Sequence, residues 1–290
     1  QWQSSADGTS GWVNAAGTGS TTSVFTPVSS TPGTTYYRVL VNATGNDCQQ
    51  AVSLVATAII IPDIVVETQP TNVNECVGGT DQMTVVISGG SGVISYQWQS
   101  SADGTSGWVN AAGTGATTSI FTPVSSTAGT TYYRVLVNAT GNDCQQAVSA
   151  VVTAIIIPDI VVTTQPTNVN ECVGGTDQMT VVVSGGSGTI SYQWQSSADG
   201  TSGWVNAVGA GSTTSVFTPV SATAGTTYYR VLVNATGNDC QQAVSAIVTA
   251  IIIPDIVVTT QPTNVNECVG GTDQMTVVVS GGSGTISYQW

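Results

Sequence analysis

The chain is predicted to be all-β and assembled from tandem copies of one small domain, and three observations lead there. A Gln-Trp pair recurs with its tryptophan at Trp2, Trp98, Trp194 and Trp290, a constant step of 96 residues, so the chain is periodic from end to end. β-Branched residues dominate every apolar run, and none of these runs carries the 3.6-residue period of an amphipathic helix. Glycine- and proline-marked turns separate the runs at short intervals.

A period of 96 exceeds the roughly 20–50 residues of solenoid and propeller repeats, whose units cannot bury a core alone. It fits a domain that folds by itself. The ends of the 290-residue chain fall inside a period, so the frame is set elsewhere. At Pro62, Pro158 and Pro254 an Ile-Pro-Asp triplet ends one β-branched run and starts another, and proline cannot donate to a strand ladder. These prolines are the expected inter-domain joints. The frame makes residues 63–158 and 159–254 complete domains, residues 1–62 the C-terminal part of one and residues 255–290 the N-terminal part of another. The chain reads as a window of a longer array, with any signal peptide removed or outside it.

Within one unit, period-two alternation predicts strands near 64–68, 82–88, 94–99, 108–110, 117–122, 131–138 and 147–157. The glycine-rich stretch 89–92 is a hairpin turn and 101–107 a polar loop. Ile94, Tyr96 and Trp98 share one face of their strand, which assigns the core side, and Phe121 anchors a facing strand. About seven short strands in fewer than 100 residues, with one internal tryptophan on the third and a tyrosine opening the sixth, predict an Ig-like β-sandwich.

Charge excludes whole classes of function. Three arginines and no lysine or histidine face sixteen carboxylates, a formal net charge of −13. Nucleic-acid binding needs a basic stripe to neutralise phosphates, and a polybasic membrane contact needs the same. The longest apolar run, 150–162, is broken by Pro158 and Asp159 and falls short of the ~20 residues of a membrane helix. Without histidine or lysine, and without a phosphate loop or nucleophile elbow, the chain is read as non-enzymatic.

The cysteines, at 48, 76, 144, 172, 240 and 268, alternate in spacing between 28 and 68. Pairing within the frame joins Cys76 to Cys144 and Cys172 to Cys240. Pairing across the joints joins Cys48 to Cys76, Cys144 to Cys172 and Cys240 to Cys268. The within-domain scheme is the expected one, because the elements that carry the two cysteines can be neighbours in a sandwich. A loop of that length is stabilised by about 4 kcal/mol in the chain-entropy model. Repeated cysteine pairs without Cys-x-x-Cys or histidine point to an oxidising, extracellular setting rather than to zinc.

The motifs Tyr96-Gln97-Trp98-Gln99, Asp103-Gly104, Thr131-Tyr132-Tyr133-Arg134 and Gly141-Asn142-Asp143-Cys144, with Cys76, recur in every repeat. Together they resemble the Ig-like repeats of giant surface proteins and gliding adhesins of Bacteroidetes-type bacteria. The resemblance implies a secreted, surface-attached repeat region, exported in such bacteria by the type IX system. One departure from antibody domains is plain: their second cysteine would fall at Val135.

Candidate sites follow from exposed chemistry. Trp108 with Asp103, and Trp204 with Asp199, form a candidate contact for a surface polysaccharide. Asp103, Asp143 and Asp159 are the candidates for calcium, though none has Asp-x-Asp spacing and each is an ordinary turn former; no other cofactor is expected. Arg134, alone in its repeat, is expected to form a salt bridge or stack on Tyr132. The sequon at Asn138 reads as accidental. The joint at 155–162 lacks glycine and polar spacer, which predicts a stiff junction and an extended rod. The function read from the chain is a structural stalk of a cell-surface protein, its partners being neighbouring repeats and surface polysaccharide or other filaments. The alternatives are a repeated carbohydrate-binding module acting by avidity and a filament of separate subunits joined by strand exchange.

Overall fold

The computed structural model describes every residue except 46–47, 142–143 and 238–239, so Asp143 lies outside the described residues. Strands and turns make up the described chain, with no helix among them and hence none long and apolar enough to cross a membrane. Two compact units form. One comprises Gln1–Val73, Asp81–Val124 and Thr130–Ala154, the other Asn74–Thr80, Ser125–Gly129 and Ile155–Trp290.

The repeat at residues 159–254 lies wholly in the second unit and shows the architecture. Its larger sheet runs in the order Val169–Cys172, Val248–Ile253, Gly225–Ala235, Ile190–Ser197, Val205–Asn206, with Ala243–Val244 also paired to Gly225–Ala235. Ile190–Ser197 and Gly225–Ala235 pair antiparallel through eight successive residues, Trp194 opposite Val231. Facing them, Met179–Thr180 pairs with Val216–Pro219, which pairs with Gly209–Ala210, and Val182–Ser184 pairs with Val161–Thr164. Residues 179–184 act as one alternating strand: Met179 and Val181 are buried, and the partner changes where the Val181 amide donates to the Ser215 carbonyl at 2.9 Å.

The core follows from period two. Trp194, Phe217, Val231 and Val233 have no exposed surface. Trp194 stacks on Phe217 with centroids 5.1 Å apart, and Phe217 tilts against Tyr229 at 5.2 Å, both offset geometries that the ring quadrupole favours. The indole N–H, which would be costly to bury unpaired, donates to the Thr214 carbonyl at 2.9 Å. In the first unit Trp98, Phe121 and Tyr133 repeat this arrangement.

The expected strands are present, except that the last, 147–157, is broken into Ala147–Val148 and Val152–Ile157. Two short elements were not expected, Gly113–Thr114 and Val73–Cys76, with their equivalents Gly209–Ala210 and Val169–Cys172. The second is consequential, because Val169–Cys172 pairs parallel to Val248–Ile253 with Cys172 opposite Ile253. Val-Asn-Glu-Cys is too short and too polar to announce a strand by alternation.

Trp194→Ala is expected to destabilise its own repeat by about 3–5 kcal/mol, as removal of a buried indole does. Urea denaturation followed by fluorescence should show an early transition for that repeat, with the transition of the Trp98 core left in place.

Candidate functional site

The backbone around Pro158 and the cysteines near it form the candidate site of the second unit. Strand direction places its parts. Gly225–Ala235 begins opposite Ile252, beside Pro254, and ends opposite Ile190, at the other end of the repeat. The steps between its 11 residues, at about 3.3 Å each, span roughly 33 Å. Cys172, in register with Ile253, therefore sits at the C-terminal end, and Cys240, in the loop after Gly225–Ala235, at the N-terminal end. At that end the Gln241 amide donates to Asp159 Oδ1 at 3.1 Å.

The cysteine pairing departs from both schemes read in the sequence. Cys76 is bonded to Cys240, with a Cα–Cα distance of 4.9 Å and a sequence separation of 164. Cys144 and Cys172 are free thiols, as are Cys48 and Cys268. Cys172 cannot reach Cys240, because bonded cysteines need Cα atoms within about 7 Å and these stand at opposite ends of one repeat. Cys76, whose strand Val73–Cys76 is the equivalent of Val169–Cys172, meets the N-terminal end of the next repeat instead. The sequence showed which residue types to pair; the short parallel strand, which it did not reveal, decides the partners.

Backbone groups close the same joint. The Pro158 carbonyl accepts from the Gly186 amide at 2.8 Å, Pro62 from Gly90 at 2.8 Å and Pro254 from Gly282 at 2.7 Å. Gly185 adopts φ +76°, and a Cβ there would collide with the Asp159 carbonyl oxygen, so the turn preceding that amide admits only glycine. Asp159, Cys76 and Cys240 place their ligand-type atoms within 4.8 Å of one another, the only group of three such residues among the described residues, and its two sulfurs are bonded to each other.

The surface candidates are committed to local structure. Asp103 Oδ1 accepts from the amides of Thr105 at 2.8 Å and Ser106 at 2.7 Å, and Oδ2 from the Ser106 hydroxyl at 2.7 Å. The Ser106 hydroxyl foremost, then the Ser106 and Thr105 amides and the Ser101 hydroxyl, hold its carboxyl well below the usual carboxylate range. Asp199 is held the same way, with the Ser202 amide leading. Trp108 has one face covered: the Arg134 guanidinium lies 4.2 Å from its ring centroid, while Arg134 Nε donates to Gln99 at 2.9 Å. Trp204 is covered by Arg230 at 4.3 Å. Arg134 was expected against Tyr132 or a carboxylate. Tyr132 lies instead over Gly104, where a Cβ would stand 2.7 Å from its ring.

A family profile described as Domain of unknown function (DUF8696) matches residues 1–62, 67–158 and 162–254. The chain belongs to this family. No curated protein matches it. Among solved structures, three N-terminal domains of the bacteriophage RB49 Highly Immunogenic Outer Capsid protein are 15% identical over 87% of this chain and 88% of theirs, with a TM-score of 0.50. Drosophila OTK extracellular domains 3–5 are 13% identical over 78% of this chain and 72% of theirs, at 0.42. Sidekick-1 immunoglobulin domains 1–5 are 13% identical over 97% of this chain, at 0.39, and the chain spans 60% of that fragment. The chain carries this family's domain as tandem, all-β, Ig-like repeats.

Because the folded Asp199 carboxyl is depressed, the loop stabilisation it gives is complete above the unfolded value of about 3.9 and is lost as pH falls from there toward the folded value. NMR titration should show the Ser202 amide shift constant from pH 7 through pH 4, and Asp199→Ala, which removes the acceptor, should move that shift at every pH.

Proposed function

We propose that the chain is a load-bearing spacer of an extracellular, surface-attached repeat protein, in which domains bounded at the Ile-Pro-Asp joints are held in series. The bond between Cys76 and Cys240 carries this reading, since it spans a joint where a within-domain staple would leave the joint to hydrogen bonds. A hydrogen bond such as that from Gly186 to Pro158 contributes about 1 kcal/mol. Closing 164 residues contributes about 5 kcal/mol in the chain-entropy model. The covalent link therefore dominates.

Composition and resemblance support the rest. A joint-spanning disulfide suits an oxidising compartment, and the motifs shared with gliding adhesins favour a bacterial cell surface. Adhesive chemistry is assigned to other parts of such a protein. One face of Trp108 and one of Trp204 is covered by arginine, and the loop aspartates are engaged by their own loops, which disfavours the carbohydrate-binding reading.

Pulling on the two ends of the chain tests this. In oxidised protein only the residues outside 76–240 should extend, and reduction should release the two complete repeats in discrete steps and lengthen the fully unfolded chain by about 60 nm, the contour that the bond hides. Extension without steps, or glycan binding abolished by Trp108→Ala, would contradict the spacer role.

A further inference from the structure

Cys76, Asp159 and Cys240 come from three separate segments of the second unit, and together they offer more than a disulfide. Their ligand-type atoms lie within 4.8 Å of one another, and no other three cysteine, aspartate or glutamate residues gather this way among the described residues. The fold places each of them. Cys76 ends the strand Val73–Cys76 with 1% of its surface exposed, and the Val77 amide that follows it donates to the Ile157 carbonyl at 3.0 Å. Asp159 follows Pro158, whose carbonyl accepts from the Gly186 amide, and its own Oδ1 accepts from the Gln241 amide at 3.1 Å. That hydrogen bond fixes the carboxylate next to Cys240, as the outer partners of metal-binding carboxylates do. Asp159 and Cys240 are half-buried, so an ion reaches the group from solvent.

Two sulfurs and one carboxylate oxygen are a selective donor set. Thiolates favour zinc-like cations over magnesium and calcium, which take oxygen. Ligand atoms bound to a tetrahedral ion at about 2.0–2.3 Å stand about 3.6–3.8 Å from one another, on the scale of the spacing here. The sulfurs have to part to that distance once their bond is open. With Cα atoms 4.9 Å apart, rotation about the Cα–Cβ bonds supplies it without movement of the strand. Three protein ligands leave a fourth position to water.

We propose that Cys76, Cys240 and Asp159 form a metal site in the reduced chain, the two thiolates and the carboxylate binding one zinc-class divalent cation. Two small-molecule thiols open the bond, leaving as one disulfide while their two protons pass to the sulfurs of Cys76 and Cys240. The cation then displaces both protons to solvent. A link opened by reduction is closed again by coordination, so successive repeats stay cross-linked in either redox state. The proposal goes beyond the spacer role and is tested without load, so either can fail alone.

The oxidised chain is treated with iodoacetamide to cap its free thiols at Cys48, Cys144, Cys172 and Cys268, then reduced with a phosphine, desalted and titrated with cadmium chloride. The ultraviolet thiolate-to-cadmium charge-transfer band should be absent before reduction and afterwards should rise to saturation at one ion per chain. Asp159→Asn keeps an acceptor for the Gln241 amide and removes the charge; it should weaken binding at least about tenfold with the circular dichroism unchanged. Urea, which scatters the three residues, should weaken binding as much. Absence of the band after reduction, an unchanged affinity in the Asp159→Asn protein, or an unchanged affinity in urea would overturn the proposal.

Discussion

A strand that runs the length of a domain fixes what its two ends can touch. Gly225–Ala235 is such a strand, and it carries Cys240 to the end of the repeat opposite Pro254. The short strand Val169–Cys172, parallel to Val248–Ile253, carries its own cysteine the other way. With roughly 33 Å of sheet between them, the two cysteines of one repeat cannot bond, and each is delivered to a joint. That the bond joins cysteines of successive repeats, rather than the two of one repeat, is thus a consequence of strand direction.

Forces divide between domain and joint. Inside a repeat the aromatic stack and the fully buried valines hold the two sheets together, and the removal of their apolar surface from water stabilises the fold more than any other interaction there. Around Pro158, where Ile156 and Ile160 are buried, a proline carbonyl, a glycine amide and a disulfide add polar and covalent links. Of the few charges on the chain, Asp159 accepts from the Gln241 amide beside Pro158, while others serve their own surroundings. Asp199 serves its own turn, and Arg230 lies flat on Trp204. Serine, threonine and glutamine do the surface hydrogen bonding that ions do elsewhere, as where Gln165 Oε1 accepts from the Ala246 amide at 2.7 Å.

Much of the fold was legible because its signals are local. Alternation placed Trp98 and Phe121 in the core, and both have no exposed surface. The hairpin glycines at 89–92 announced a turn, though not that Gly90 would donate to Pro62. What sequence reading missed depends on non-local geometry. Val73–Cys76 has no alternation long enough to read and exists because the last strand of its repeat offers an edge. The cysteine partners follow from that edge, so the domain-internal scheme failed with it. Arg134 was misplaced for a similar reason, since its register with Gln99 across the sheet aims it at Trp108 rather than along its own strand at Tyr132.

The central claim is that the bond crosses the joint, and peptide mapping of the unreduced chain by mass spectrometry tests it most directly. A protease other than trypsin is needed, since Arg38, Arg134 and Arg230 are the only basic residues. A peptide linking Cys76 to Cys240 is the predicted result. A peptide linking Cys76 to Cys144, or Cys172 to Cys240, would show that the staple lies within a domain and would contradict the account.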